Sequence, residues 1–281
     1  MRSFVELRQV LEQAARRIAS AGALLIGAGA GMGVDSGLPD FRGPEGFWRA
    51  YPPFRGRRFE EMANPRWFRH DPHLAWGFYG HRLQLYRETE PHAGFGILLR
   101  WARQVPGGAF VFTSNIDGHF QRAGFSPLQV VECHGSIHHL QCVEPCSAHI
   151  WSSEEVQLEI DPETFRAADP LPRCPRCGGL ARPNVLMFND YHWVPDRTAG
   201  QQQRYRRWLR SVPEPLVAIE LGAGSAVPTV RREMERRTPL LVRINPREAE
   251  VPPPGIGIPC GALEALRQID AVLGGCDPQE E

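Results

Sequence analysis

A short apolar run that passes directly into a run of glycines constrains this chain more than any other feature. Ala23-Leu24-Leu25-Ile26 has the length and composition of a buried strand, and Gly27-Ala28-Gly29-Ala30-Gly31-Met32-Gly33 follows at once. Glycine has no Cβ and takes φ > 0 readily, so such a turn lets backbone N–H groups come close to a pyrophosphate. Glycine-rich turns also occur without a ligand, and the loop alone leaves both readings open. Upstream, Phe4, Leu7, Leu11, Ala14 and Ile18 recur at helical spacing, predicting an amphipathic helix over 3–21 that ends at Gly22 and packs on the strand. Further strands are expected at 109–113, 128–133, 184–188, 216–221 and 240–244, with helices at 91–104, 196–211, 228–237 and 261–273. This alternation predicts an α/β protein, a doubly wound parallel sheet covered on both faces.

Two segments break the alternation. Residues 44–90 are rich in aromatics, among them Phe47, Trp48, Tyr51, Phe54, Phe59, Trp67, Phe68, Trp76, Phe78 and Tyr79, and read as helical from about Pro65 onward. Residues 140–183 hold Cys142-x3-Cys146 and Cys174-x2-Cys177, two close pairs with 27 residues between them. Glu6 and Glu12 interrupt the start of the chain, no continuous apolar stretch follows a basic end, and a secretion signal is therefore not expected; a cytoplasmic location is. In a reducing compartment, paired thiolates at this spacing read as a tetrahedral, structural zinc site with ligands Cys142, Cys146, Cys174 and Cys177. The scattered Cys133, Cys260 and Cys276 read as ordinary small side chains. The expected organisation is a sheet domain from 1–43, 91–139 and 184–281, with the helical insert 44–90 and the ribbon 140–183 forming one smaller module beside it.

Charge and composition exclude several functions. The 32 basic residues balance 32 acidic ones, leaving no general field for a polyanion, and residues 142–183 carry four arginines against seven acids. Direct nucleic-acid binding is not expected, and the longest apolar run falls far short of a membrane span. All 32 basic residues are arginine. Without lysine, P-loop phosphate binding, pyridoxal enzymes and Schiff-base aldolases are excluded.

The glycine loop continues into Ser36-Gly37-Leu38-Pro39-Asp40-Phe41-Arg42-Gly43, and with this stretch the chain resembles the sirtuin family of NAD-dependent protein deacylases. Thr113-Ser114-Asn115-Ile116-Asp117, His134-Gly135, the cysteine pairs, Arg182-Pro183, the loop from Gly222 to Ser225 and Ile244-Asn245 follow in the family's order, covering about residues 20–265. The resemblance implies a Rossmann-like domain with NAD lying between it and a smaller module of zinc ribbon and helical insert. It also implies a reaction in which the acyl-lysine carbonyl oxygen attacks the ribose carbon bearing nicotinamide, giving free lysine, nicotinamide and acyl-ADP-ribose. Carried over by position, Gly29, Ala30, Gly31, Asp40, Gly222, Gly224, Ser225 and Asn245 would bind the dinucleotide. Phe41 would shield the ribose face, Arg42 would hold phosphate, and Ser114, Asn115 and Asp117 would position the nicotinamide ribose and carboxamide. His134 would be the general base, with Asn115 beside it in the catalytic set. An acylated protein or peptide is the implied partner, with Val185 and Phe188 on the strand that would pair with it.

Residue chemistry agrees with several of these roles. Histidine titrates near neutrality, as proton transfer in both directions requires, and the Asn115 carboxamide offers both a donor and an acceptor. His138 and His139, just beyond His134, and His119 in the preceding loop are the next candidates for the base, and for Asp40 and Asp117 the alternative reading is a loop cap. Tyr79 and Arg82, at i and i+3 of a helix, share one face and suit a carboxylate, which points to succinyl or malonyl groups besides acetyl. Family members that remove acidic acyl groups carry this pair in a similar aromatic context. The chain departs from the family at Ser114, where a glutamine is usual, at Phe188-Asn189-Asp190, where phenylalanine, glycine and glutamate are usual, and in the loop Gly222-Ala223-Gly224-Ser225-Ala226-Val227-Pro228. The altered 188–190 segment keeps protein ADP-ribosylation or NAD hydrolysis open as alternatives. A non-enzymatic NAD or ADP-ribose sensor is a third reading, opposed by the largely intact catalytic set.

Overall fold

The computed structural model describes residues 4–40, 47 and 51–274. Six strands form one parallel sheet: β1 (Ala23–Ala28), β2 (Ala109–Thr113), β3 (Val130–Glu132), β7 (Leu216–Leu221), β8 (Leu241–Ile244) and β9 (Ile256–Ile258), in the order β3-β2-β1-β7-β8-β9. Both neighbours of β1 run parallel to it, with Leu24 opposite Ala109 on one side and Val217 on the other. Every residue of β1, β2 and β7 is buried, as expected for strands covered on two faces. One face packs on α1 (Phe4–Ala19), α3 (Ala93–Gln104) and α6 (Ala262–Val272), through Leu11, Ile18, Leu98, Trp101, Leu266 and Ile269. The other packs on α4 (Asp196–Leu209) and α5 (Thr229–Arg237), through Tyr205, Val230 and Met234. The chain order reverses between β1 and β7, the point in an open parallel sheet where a ligand crevice lies outside the carboxyl ends of the strands.

The second sheet has three strands, β5 (Trp151–Ser152), β4 (Gly135–Cys142) and β6 (Ala181–Val185), with β4 central and antiparallel to both others. This corrects the expected strand at 184–188, which the periodicity had placed in the parallel sheet. The strand occupies Ala181–Val185 and pairs with β4, so boundaries drawn at 139/140 and 183/184 cut strands that the fold keeps whole. The helix α2 (Pro72–Glu88) lies against this sheet. It starts where the Asp71 side chain accepts the Leu74 N–H at 3.2 Å and Pro72 takes the first helical position. Trp76 donates its indole N–H to the Ala181 carbonyl at 3.0 Å, and Gly77 leaves room for the Phe165 carbonyl, which would stand 2.0 Å from a Cβ. Insert and ribbon thereby share one aromatic core containing Phe47, Tyr51, Phe54, Phe78, Tyr79 and Phe165.

Candidate active site and metal centre

A cavity of about 710 Å³ lies where the carboxyl ends of β1, β2, β3 and β7 face the small module. Its floor is made of two glycine loops packed backbone on backbone. The Gly31 N–H donates to the Gly222 carbonyl at 3.0 Å, and a Cβ on Gly31 would stand 2.7 Å from the Gly222 Cα. Gly222 also has φ +59°, a left-handed conformation that favours glycine. Gly29, Ala30, Asp40, Gly222, Gly224 and Ser225 line the cavity. Gly31 and Asn245 do not: Gly31 serves the loop-to-loop contact, and buried Asn245 donates from Nδ2 to the Ala223 carbonyl at 3.0 Å, supporting the second loop from behind. Phe41 and Arg42 lie outside the described residues.

The loop after β2 adds Ser114, Asn115, Ile116 and Asp117. The Asn115 Nδ2 donates to the Gly29 carbonyl at 3.0 Å, which sets the orientation of its amide and joins two walls of the cavity. Asp117 lines the cavity and also closes an Asx turn in the loop ahead of the helical turn His119–Arg122, its Oδ1 accepting the His119 N–H at 2.9 Å. Burial pushes its carboxyl above the ordinary aspartate value, against the nearby His119. Asp117 is thus cavity wall and loop cap at once.

His134 follows β3 and, among the described residues, is the single histidine that lines the cavity. Burial holds its pKa below the ordinary histidine value, opposed by a hydrogen bond with the Ser114 backbone. The other candidates are directed elsewhere. His119 is fully buried, the His138 ring bonds the Asp117 carbonyl at 2.7 Å, and His139 does not line the cavity.

The small module supplies Phe59, Tyr79, Arg82, Tyr86, Val185, Leu186, Met187 and Phe188. Arg82 is 6% exposed, so it is an inward-facing arginine and not a surface one. Its guanidinium carbon is 5.8 Å from the centre of the Tyr79 ring, so the i, i+3 pair meets at the cavity. Leu186 donates its N–H to the His134 carbonyl and Phe188 to the Ala63 carbonyl, both at 2.9 Å, fixing the wall from 186 to 188. The departures at 189–190 are accommodated. Asn189 takes φ +57°, which asparagine tolerates better than other non-glycine residues, and the Asp190 carboxylate pairs with fully buried Arg182 at 2.5 Å. Tyr86, Arg247 and Glu248 are cavity residues that the motifs did not include. Helical spacing could have revealed Tyr86, four residues beyond Arg82 on the same face; Glu248 carries no local signal, being placed by Ser225, whose hydroxyl it accepts at 2.8 Å.

Away from this cavity, the sulfurs of Cys142, Cys146, Cys174 and Cys177 all lie within 4.8 Å of one another. Cys142 and Cys177 are 3.6 Å apart and Cys146 and Cys174 3.7 Å. Zinc bonded tetrahedrally to sulfur at its usual length separates the sulfurs by about 3.8 Å, so the donor set fits zinc and leaves no position for a catalytic water. The second knuckle closes through the Gly178 N–H, which donates to the Cys174 carbonyl at 2.9 Å. No helix among the described residues is long and apolar enough to cross a membrane.

Comparison with known proteins agrees with this geometry. Residues 29–201 match the model of the Sir2 family. The NAD-dependent protein deacylase of Aquifex aeolicus is 35% identical over 162 residues, covering 58% of this chain and 59% of that protein, so the chain spans about three fifths of that relative's length. An NAD-dependent protein deacylase of Thermus thermophilus is 30% identical over 260 residues, covering 91% of this chain and 92% of that one. A solved structure of a Sir2 homolog–NAD complex matches with a TM-score of 0.69 at 25% identity, covering 93% of each chain.

Proposed function

From the premise that this chain belongs to the Sir2 family, we propose that it removes acyl groups from lysine side chains of proteins or peptides with consumption of NAD. The observation that carries this reading is the placement of His134. Among the described residues it is the one histidine in a cavity that also contains both glycine loops, Asn115 and the wall at 185–188. NAD, when bound, supplies a ribose carbon activated by its nicotinamide leaving group, onto which the acyl group passes.

The protein's own residues have separate tasks. Gly29, Ala30, Gly222, Gly224 and Ser225 offer a surface without bulky side chains for the dinucleotide, with Gly31 and Asn245 holding the two loops in place. Asn115, oriented by Gly29, together with Asp117 and Ser114 holds the nicotinamide end. His134, kept neutral at pH 7 by burial, accepts the ribose hydroxyl proton. Val185 and Phe188 contact the peptide. Tyr79 and Arg82 favour acyl groups that end in a carboxylate, such as succinyl or malonyl. Zinc holds the ribbon and takes no part in the chemistry. Four free thiols suited to a metal agree with a cytoplasmic setting.

The test is to incubate the protein with NAD, with and without acetyl- and succinyl-lysine peptides, and weigh the products. Peptide-dependent acyl-ADP-ribose is the expected result. ADP-ribose released without peptide, or mass added to a protein acceptor, would instead establish NAD hydrolysis or ADP-ribosylation; an unchanged NAD pool would leave a sensor.

A further inference from the structure

Arg82 is held by a residue outside the Tyr79–Arg82 pair. Its Nε donates to the Tyr86 hydroxyl at 3.1 Å, and its Nη2 donates to the same oxygen at 2.7 Å. Nε and Nη2 form one edge of the guanidinium fork, so the phenol covers that edge, and a bidentate partner would meet the end formed by Nη1 and Nη2. The cation also sits 5.4 to 5.8 Å from the ring centres of Phe59, Phe78, Tyr79 and Tyr86. Tyr86 is itself anchored: it is 5% exposed, and its carbonyl accepts the Arg122 Nη1–H at 2.9 Å near the end of α2. Tyr79, Arg82 and Tyr86 all line the same cavity. Burial raises the Tyr86 phenol above its ordinary value, opposed by the Arg82 charge, and keeps it a neutral O–H with a proton of its own to donate.

We propose that Tyr86 is a positioning residue for acidic acyl groups: its hydroxyl fixes the plane of Arg82 and thereby directs the end of the guanidinium that meets the acyl carboxylate. The inference rests on the reading of Tyr79 and Arg82 as the acid-recognising pair. Without the hydroxyl, the cation keeps its aromatic cage but loses two bonds that restrain its rotation about the side-chain axis. The carboxylate must then orient the guanidinium as it binds, which weakens binding more than it slows turnover.

Tyr86→Phe keeps the ring and removes only the hydroxyl. Kinetics are measured on succinyl- and acetyl-lysine peptides for wild type, Tyr86→Phe, Arg82→Met and the double variant. The expected result is a fall of about tenfold in the succinyl-to-acetyl ratio of kcat/KM for Tyr86→Phe, carried by KM, as for one hydrogen bond to a charged group. In the Arg82→Met background the same change should leave the ratio where it is. A wild-type ratio favouring succinyl that persists in Tyr86→Phe, or equal losses on both peptides, overturns the role of Tyr86 alone. A wild type with no activity on succinyl-lysine overturns the acid-recognition reading beneath it.

Discussion

The two hydrophobic regions that meet at the cavity are built differently. Around the parallel sheet the core is mainly aliphatic, with Leu24, Ile26, Val111, Val217, Ile219 and Leu266 repeated over adjoining strands and helices. In the small module aromatic side chains take a much larger share of the core, and their rings join distant segments. Tyr51 and Phe54 of the insert meet Phe165 of the ribbon edge-on, at 5.5 and 5.2 Å. Six parallel strands hydrogen-bond one another along the sheet, whereas the ribbon has three strands, one of them two residues long. Stability is therefore distributed in the first region and concentrated in a few ties in the second. The proposed chemistry divides in the same way: the sheet supplies the base and the glycine loops, and the small module supplies the walls that meet the acyl group and peptide.

The largest effect expected from breaking this division is at the sheet. His134→Ala should reduce deacylation by roughly 10²- to 10⁴-fold, as for loss of a general base, with NAD affinity little changed when measured by calorimetry. Residual turnover within about tenfold of wild type would move the role away from His134.

Next comes the metal. Cys174→Ser, or extraction of zinc by a chelator, should destabilise the small module by on the order of several kcal/mol. Hydrogen exchange should show protection lost across β4, β6 and α2 before it is lost from β1, β2 and β7. A zinc-free protein as stable as the loaded one would contradict a structural metal.

A smaller effect separates the two regions functionally. Arg82→Met should lower the succinyl-to-acetyl ratio of kcat/KM by about tenfold or more, since it removes a charged hydrogen-bond donor to the carboxylate. Equal loss on both substrates would assign Arg82 to the packing of the aromatic core.

The smallest is a pH effect on stability. His139 on β4 has its pKa lowered to about 4, first by burial and then by the charge of Arg197. The unfolded chain binds this proton near the ordinary value of about 6.5, before the folded one does. The contribution is complete above that pH and is lost progressively as pH falls toward 4. Urea titrations between pH 7 and pH 4 should show stability falling, and His139→Gln should flatten the fall.

Much of this architecture is legible locally. The strand at 23–26 and its glycine run, the alternation of strands and helices, the two cysteine pairs, and the Tyr79–Arg82 spacing each depend on residues close in sequence, where periodicity and turn chemistry operate. The strand at 184–188 was misplaced for the same reason. An apolar segment pairs equally well in either sheet, and only contact with β4 from Gly135 to Cys142 decides between them.

Sequence by itself thus determined the fold class and the four-cysteine cluster, because each follows from residue chemistry at short spacing, while the resemblance to the sirtuin family picked out His134 as the histidine to examine as base. Tertiary structure decided which groups share the cavity. The crossover order brings Gly31 against Gly222, sets Asn245 behind the second loop, and places His134 inside while His119 and His138 stay out. It also made Asp117 part of the cavity wall and turned the Arg82–Tyr86 pair, neighbours along one helix, into the same cavity. These are relations between loops and side chains set by the packing of whole elements, and no local pattern encodes which backbone atoms will approach within bonding distance.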